Sequence, residues 1–305
     1  MDISTRDGLI TYYFEIAGLQ LEVAFPATVD VDAVLPSFRD FRRSESKGES
    51  IAVARFLNEE VPSDDNLGEL RSDISIVWGD NFRFYEQEDA FVTVIKHEQR
   101  ECRWMMRSTK DFRKSEIYGN LNDPHRGDLL AWLLMVVFGQ VGLHHRLILI
   151  HASVVAVGKT EGVAFLGKSG TGKSTHSRLW LQHIPNTELL NDDNPAVRIE
   201  EDGHVRIYGT PWSGKTPCYK DESMLLKGFV RLQQAPFNRF TPKKGMESLI
   251  AVLPSCTALR WNKDLFNAMT DTLALLVEKV PVGQMECLPD AAAAQLSYKS
   301  VFASN

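Results

Sequence analysis

Val163-Ala164-Phe165-Leu166-Gly167-Lys168-Ser169-Gly170-Thr171-Gly172-Lys173-Ser174 is the stretch whose reading decides the fold. Its last eight residues fit the pattern GxxxxGK[ST]. Both flanks also fit, with an apolar strand-like run before the pattern and the helix-forming STHSRLWLQH from Ser174 onward. Glycines let successive backbone N–H groups turn toward a polyphosphate, and the start of the following helix adds partial positive charge. Gly167, Lys168, Ser169, Gly170, Thr171, Gly172, Lys173, Ser174 and Thr175 form the expected nucleotide-binding set. Lys173 is placed to reach the β- and γ-phosphates, and Ser174 to offer its hydroxyl to Mg²⁺. ATP and Mg²⁺ are the expected cofactors.

Outward toward the C-terminus, Leu189-Leu190-Asn191-Asp192-Asp193-Asn194 follows after room for one helix and a return strand. An apolar pair there leads into two carboxylates read as a strand-end turn. One carboxylate suits Mg²⁺ and the other suits a general base for an incoming hydroxyl. On the N-terminal side, His151 closes the run LILI and precedes Ala152-Ser153. Such a histidine is either structural or catalytic. The other histidines show no HxH or HExxH metal spacing.

A second segment, Gly209-Thr210-Pro211-Trp212-Ser213-Gly214-Lys215-Thr216, fits the same pattern in the wrong context. Pro211 and Trp212 stiffen and crowd the loop, Pro217 follows at once, and PCYKDE makes no amphipathic helix. It is not read as a second phosphate loop. Ser213 and Lys215 stay as contacts to substrate or phosphate, or as parts of a plain turn. Lys215 and Arg231 are the two cations considered for completing a charge clamp on the phosphates.

The rest of the second half alternates strand-like and helix-like pieces. LILIHASVVAV, VAFL, ELL, AVRI, HVRIYG and VGQMECL read as strands, and Ser174–His183, Gly245–Leu253 and Lys263–Lys279 as helices. This is an α/β nucleotide domain with a mixed sheet, placed at 126–305. Residues 1–125 read as a mostly antiparallel β (α+β) domain with a possible role in substrate or partner binding. ITYYFEIAG, LQLEVAF, ESIAVARFL, DISIVWG, NFRFYEQ, AFVTVIKHE and CRWMMRS are β-rich runs separated by turn formers. Val31–Arg43 adds a short helix with Pro36 as a break or start. The boundary falls in GNLNDPHRGD, after which Asp128 is the expected cap of an apolar helix through LLAWLLMVVFGQVGLHH. That helix, apolar on nearly every side, suits packing between domains or a contact in a homo-oligomer.

The 305 residues carry a formal charge of −6, with 44% hydrophobic and 24% charged side chains. That balance belongs to a folded protein and gives no general grip on nucleic acid or an anionic membrane. Leu129–Leu143 falls short of the roughly 18 apolar residues of a membrane span, and the N-terminus lacks a signal-peptide pattern. Cys102, Cys218, Cys256 and Cys287 form no CxxC. A reducing, cytoplasmic setting is expected.

Taken in order, IHASVVAVGKTEGVAFLGKSGTGKSTHSRLWL and ELLNDDNPAVRI resemble the catalytic domain of HPr kinase/phosphorylase and, more distantly, ATP-dependent phosphoenolpyruvate carboxykinase. The likeness runs from about Leu147 to Ile199. It implies Lys173 on the phosphates, Ser174 and Asp193 on Mg²⁺, Asp192 as the base or its neighbour, and His151 beside the transferred phosphoryl group. Length and layout are similar to HPr-kinase-related proteins of bacterial peptide-modification gene clusters, some of which phosphorylate a Ser hydroxyl. The expected activity is ATP- and Mg²⁺-dependent phosphoryl transfer to a hydroxyl of a small molecule, peptide or small protein. The alternatives are a nucleotide-binding regulatory or assembly ATPase module, and carboxykinase-like chemistry.

Overall fold

The computed structural model describes residues 5–6, 8–72, 82–96, 102–214 and 216–303. The run DISIVWG and Lys215 lie outside the described residues. The chain forms two compact units, Met1–Gly142 with Leu259–Trp261, and Leu143–Ala258 with Asn262–Asn305.

The first unit is built on one mixed sheet. Leu9–Ile16 and Leu19–Pro26 pair as a hairpin through Ala17 and Gly18, both with positive φ, as a two-residue turn matched to strand twist requires. Leu19–Pro26 then runs parallel to Ala52–Leu57, which runs parallel to Lys114–Tyr118. Arg103–Thr109, Ala90–Lys96, Phe82–Glu86 and Glu69–Ser72 continue antiparallel. Among the described residues the sheet is mostly antiparallel, as expected, with two parallel pairings at its centre. Alternating apolar residues reveal which face of a strand is buried, but not the direction of its neighbour.

The crossover between the first two parallel strands includes the helix Val31–Val34, capped by Asp30, and a 3₁₀ turn opened by Pro36. Phe14, Phe25, Phe38, Phe41, Phe56 and Trp104 fill the core, each buried to within 2%. Full burial of such a side chain contributes about 1.5–3 kcal/mol. Gly119 has no alternative residue, because a Cβ there would lie 2.2 Å from the Trp104 ring.

The apolar helix Arg126–Gly142 packs on Ala52–Leu57, Ala90–Lys96 and Lys114–Tyr118, so it goes with the first unit and not with residues 143 onward. By length and composition Arg126–His145 could cross a membrane, yet most of it is buried in the protein. Asp128 lies in the first turn, where its charge complements the helix dipole, and the helix begins before it at Arg126. Leu259–Trp261 returns to this unit: Leu259 N–H donates to Gln140 Oε1 at 3.0 Å, and Trp261 meets Phe91 edge-on.

The second unit holds another mixed sheet, in the order Leu147–Leu149, Ala196–Ile199, Val205–Tyr208, Ser223–Gln234, Glu161–Leu166, Ala152–Val157, Thr187–Asp193. Val282–Cys287 lies parallel to the far half of Ser223–Gln234, and Arg239–Lys243 closes that side. Helices Lys173–His183 and Ala291–Phe302 cover one face. There Val155, Val163, Phe165, Val230, Leu232 and Met285 meet Trp180, Ala293, Ala294 and Val301. Phe165 and Trp180 pack edge to face at 5.2 Å, and Trp180 Nε1–H donates to Ser297 Oγ at 2.9 Å.

The strand Ser223–Gln234 and the helix Ala291–Phe302 are additions to the elements expected from the sequence. The run LILIHASVVAV, read as a single strand, is two strands broken at Ile150 and His151. The twin acids are the last two residues of Thr187–Asp193 and not a turn beyond it.

Candidate active site

Three strand ends bring the chemistry together. Ala152–Val157 lies between Glu161–Leu166, which leads into the glycine loop, and Thr187–Asp193, which ends in the acids. The registers place Ala152 opposite both Leu166 and Asp193, and Ser153 opposite Asp192. His151 immediately precedes this point. Its N–H donates to Ser255 O at 2.7 Å, so the strand break that frees its side chain carries no unpaired donor. Below the site, Ser153 and Ser177 share a buried hydroxyl–hydroxyl hydrogen bond of 2.6 Å.

The loop after Leu166 is shaped by glycine. Gly167, Gly170 and Gly172 have φ of 156°, 80° and 99°. A Cβ at Gly170 or Gly172 would meet nothing within 4 Å, so the loop is open above both. Thr171 folds inward, its Oγ1 donating to Lys168 O at 2.7 Å. Gln234 Nε2 donates to Gly170 O at 3.2 Å, tying the loop to the end of Ser223–Gln234. Gly172 stands at the N-cap of Lys173–His183 with no side chain capping it. The first N–H groups of that helix therefore keep their hydrogen-bonding capacity for an anion.

Lys173, the first helical residue, turns back over the loop. Its Nζ donates to Gly167 O at 3.0 Å and lies 2.9 Å from His151 Nε2. His151 Nδ1 lies 2.9 Å from Asp193 Oδ1. The chain Asp193–His151–Lys173 is continuous if the imidazole carries its proton on Nδ1, donates it to the carboxylate and accepts from the ammonium at Nε2. Burial pushes the Lys173 ammonium below its ordinary range, while Asp193 and Asp192 pull it the other way.

Ser174 Oγ donates to Asp192 Oδ1 at 3.0 Å. The structure thus pairs Ser174 with Asp192, and Asp193 with His151. The expected grouping is the other one, Ser174 with Asp193 and Asp192 for the proton. Which acid faces which partner depends on strand register, and the spacing of the motif does not contain it. Asp192 is buried and Asp193 is half-exposed.

Ser213 comes to the same place by its backbone, bridging to Asp193, while its hydroxyl donates to Thr216 O at 2.7 Å. Arg231, opposite Leu166 in the sheet, directs Nη1 to Ala251 O at 2.9 Å. Lys168 and Ser169 are exposed on the loop, and Thr175 is half-buried in the first turn of the helix. Among the described residues no three His, Cys, Asp or Glu side chains cluster as a metal cage. All four cysteines are free thiols.

No protein-family model matches the chain, and no curated protein matches it. Among solved structures, the HPr(Ser) kinase/phosphatase from Coxiella burnetii is similar over 51% of this chain and 88% of that one, at 13% identity and a TM-score of 0.29. The resemblance to HPr(Ser) kinase/phosphatase is one of structure, and it extends over half of the chain.

Proposed function

We propose that the second unit transfers the γ-phosphoryl group of ATP, with Mg²⁺, to a hydroxyl of a small molecule, peptide or small protein, serine being the first candidate. The observation that carries this reading is the convergence of the glycine loop, Lys173, Ser174, His151 and both acids at adjoining strand ends.

Mg²⁺ prefers hard oxygen ligands, often one or two carboxylates with substrate phosphates completing the shell. Ser174 Oγ and Asp192 Oδ1, already 3.0 Å apart, are such donors, and this pair would hold the ion. When bound, Mg²⁺ would neutralise charge on the β- and γ-phosphate oxygens. Lys173 would leave Gly167 O for those phosphates, and the loop and helix N–H groups would orient them.

The acceptor oxygen forms the new bond to the γ-phosphorus as the bond to the β–γ bridging oxygen breaks and ADP leaves. The acceptor proton passes to Asp193, which the Nδ1–H of His151 orients. This exchanges the duties expected of the two acids.

Labelled ATP incubated with serine peptides and free serine tests the reading. A phosphorylated product that disappears in Asp193→Asn, while nucleotide binding persists, is the expected result. Unchanged transfer by Asp193→Asn removes the assigned base. Nucleotide binding with no product from any hydroxyl acceptor favours a regulatory or assembly module instead.

A further inference from the structure

Asn191, Asp192, Asp193 and Asn194 are consecutive, and one hydroxyl spans them. Thr210 is fully buried, and its Oγ1 donates to Asn194 O at 2.7 Å on one side of the acid pair. On the other side it accepts from Asn191 Nδ2 at 3.3 Å. It also accepts from Trp212 N–H at 3.3 Å, which completes its hydrogen-bonding capacity. Asn191, equally buried, uses Oδ1 to accept from Asp193 N–H at 3.1 Å, and Nδ2 also reaches Trp212 O at 3.3 Å.

The backbone continues the fastening beyond these two side chains. Gly214 N–H donates to Asp192 O at 2.9 Å, and Ser213 bridges to Asp193. The tight approach leaves little room at Gly214, where a Cβ would lie 3.0 Å from Asp192 O and 3.3 Å from Asp193 Cβ. The second GxxxxGK[ST] segment is therefore the bed on which the acid pair lies.

We infer that Thr210 is a positioning residue for the phosphoryl-transfer centre, fixing the direction of Asp192 and Asp193 by bracketing the Asn191–Asn194 stretch. The inference rests on the nucleotide reading above and deepens it. Thr210 touches no reacting atom; it acts through the acids. Its loss should fall on the part of nucleotide binding that depends on Mg²⁺ and leave the part supplied by the glycine loop.

The test is equilibrium binding of a non-hydrolysable ATP analogue to the full chain, with Mg²⁺ and with chelator, alongside thermal melting. Wild type should bind more tightly with Mg²⁺. Thr210→Val should keep chelator-state affinity within about twofold and lose most of the Mg²⁺-dependent gain, and Thr210→Ser should restore it, by analogy with the loss of a supporting-shell partner. A folded Thr210→Val protein with the full Mg²⁺ gain overturns the inference. If Thr210→Val does not melt cooperatively, Thr210→Ala decides, since it removes the same hydroxyl without placing a methyl where Oγ1 meets Asn194 O. A reduced Mg²⁺ gain supports the role, and an unchanged gain overturns it. Absence of nucleotide binding by wild type instead overturns the kinase reading, and this role falls with it.

Discussion

After Glu161–Leu166 the chain turns through Gly167, Gly170 and Gly172, all with positive φ, and enters an eleven-residue helix. After Val205–Tyr208 it enters a segment of the same pattern whose Pro211 and Trp212 are buried, and no helix follows among the described residues up to Ser223. The first loop leaves open space above Gly170 and Gly172 and leads into a helix start that no side chain caps. The second turns its backbone onto a neighbouring strand, where Asn191 and Thr210 hold it. A phosphate cradle needs unspent N–H groups and a helix start behind them. The pattern alone specifies glycines and a cation, and the flanking elements decide what they do.

The largest separation between the loops should appear on removing their lysines. Lys173→Ala is expected to lower the proposed ATP-dependent phosphoryl transfer by about 10²–10³-fold, the cost of deleting one charge-stabilising donor at such a site. Lys215→Ala should leave affinity for an ATP analogue within about twofold. Parallel assays of transfer and analogue binding check both. Equal losses in the two variants would return the second loop to the phosphates and end the contrast.

The loops also differ in how acid should reach them. Behind the first, His176 is buried in the helix, and burial pushes its imidazole down to about 4 from an ordinary 6.5. Ser297 Oγ donates to Ala294 O, leaving its lone pairs for Trp180 Nε1–H and the His176 Nε2–H tautomer. Behind the second, Asn191 and Thr210 carry no titrating group. The folded state resists protonating His176, so the unfolded chain binds more protons between pH 6.5 and 4. Stability from this group is complete above about pH 6.5 and falls as pH drops, by about 2 kcal/mol at pH 5 and about 3 kcal/mol once below 4. Urea unfolding at pH 7 and pH 5 should show that increment in wild type and lose it in His176→Gln. An equal pH 5 deficit in both proteins would assign the acid sensitivity elsewhere.

Legibility in the sequence follows the same division between local and tertiary causes. The glycine loop, its flanking strand and helix, and Lys173, Ser174, Asp192 and Asp193 are legible because each signal lies in a short window, whereas His151 stays open between structural and catalytic until the fold sets it between Lys173 and Asp193. The pairing of Ser174 with Asp192 depends on a bulged register in which Asn191 faces Val154 and Leu189 faces Val155, and no window contains that. Ser223–Gln234 carries no clear strand signal, since Gly228 interrupts its apolar run. In the fold it makes room for Val301 of the C-terminal helix, whose Cγ1 would lie 3.3 Å from a Cβ there. That helix is equally faint in the sequence, because AAAAQLSYKSVF buries small residues, Ala293, Ala294 and Ser297, and so shows little apolar periodicity.

The smallest expected effect sharpens what each loop asks of glycine. At Gly170 the φ of 80° is the requirement, since a Cβ meets nothing within 4 Å. Gly170→Ala should cost about 1 kcal/mol through the left-handed backbone alone, and Gly170→Asn should cost less than half of that, because asparagine tolerates the region. At Gly214 the requirement is space, with Asp192 O at 3.0 Å from the added carbon. Asparagine there brings a larger side chain to the same contact and should be worse than alanine. Urea unfolding of the four variants therefore yields opposite orders, alanine worse than asparagine at 170 and better at 214. The same order at both positions would show that one constraint, backbone or space, governs both loops.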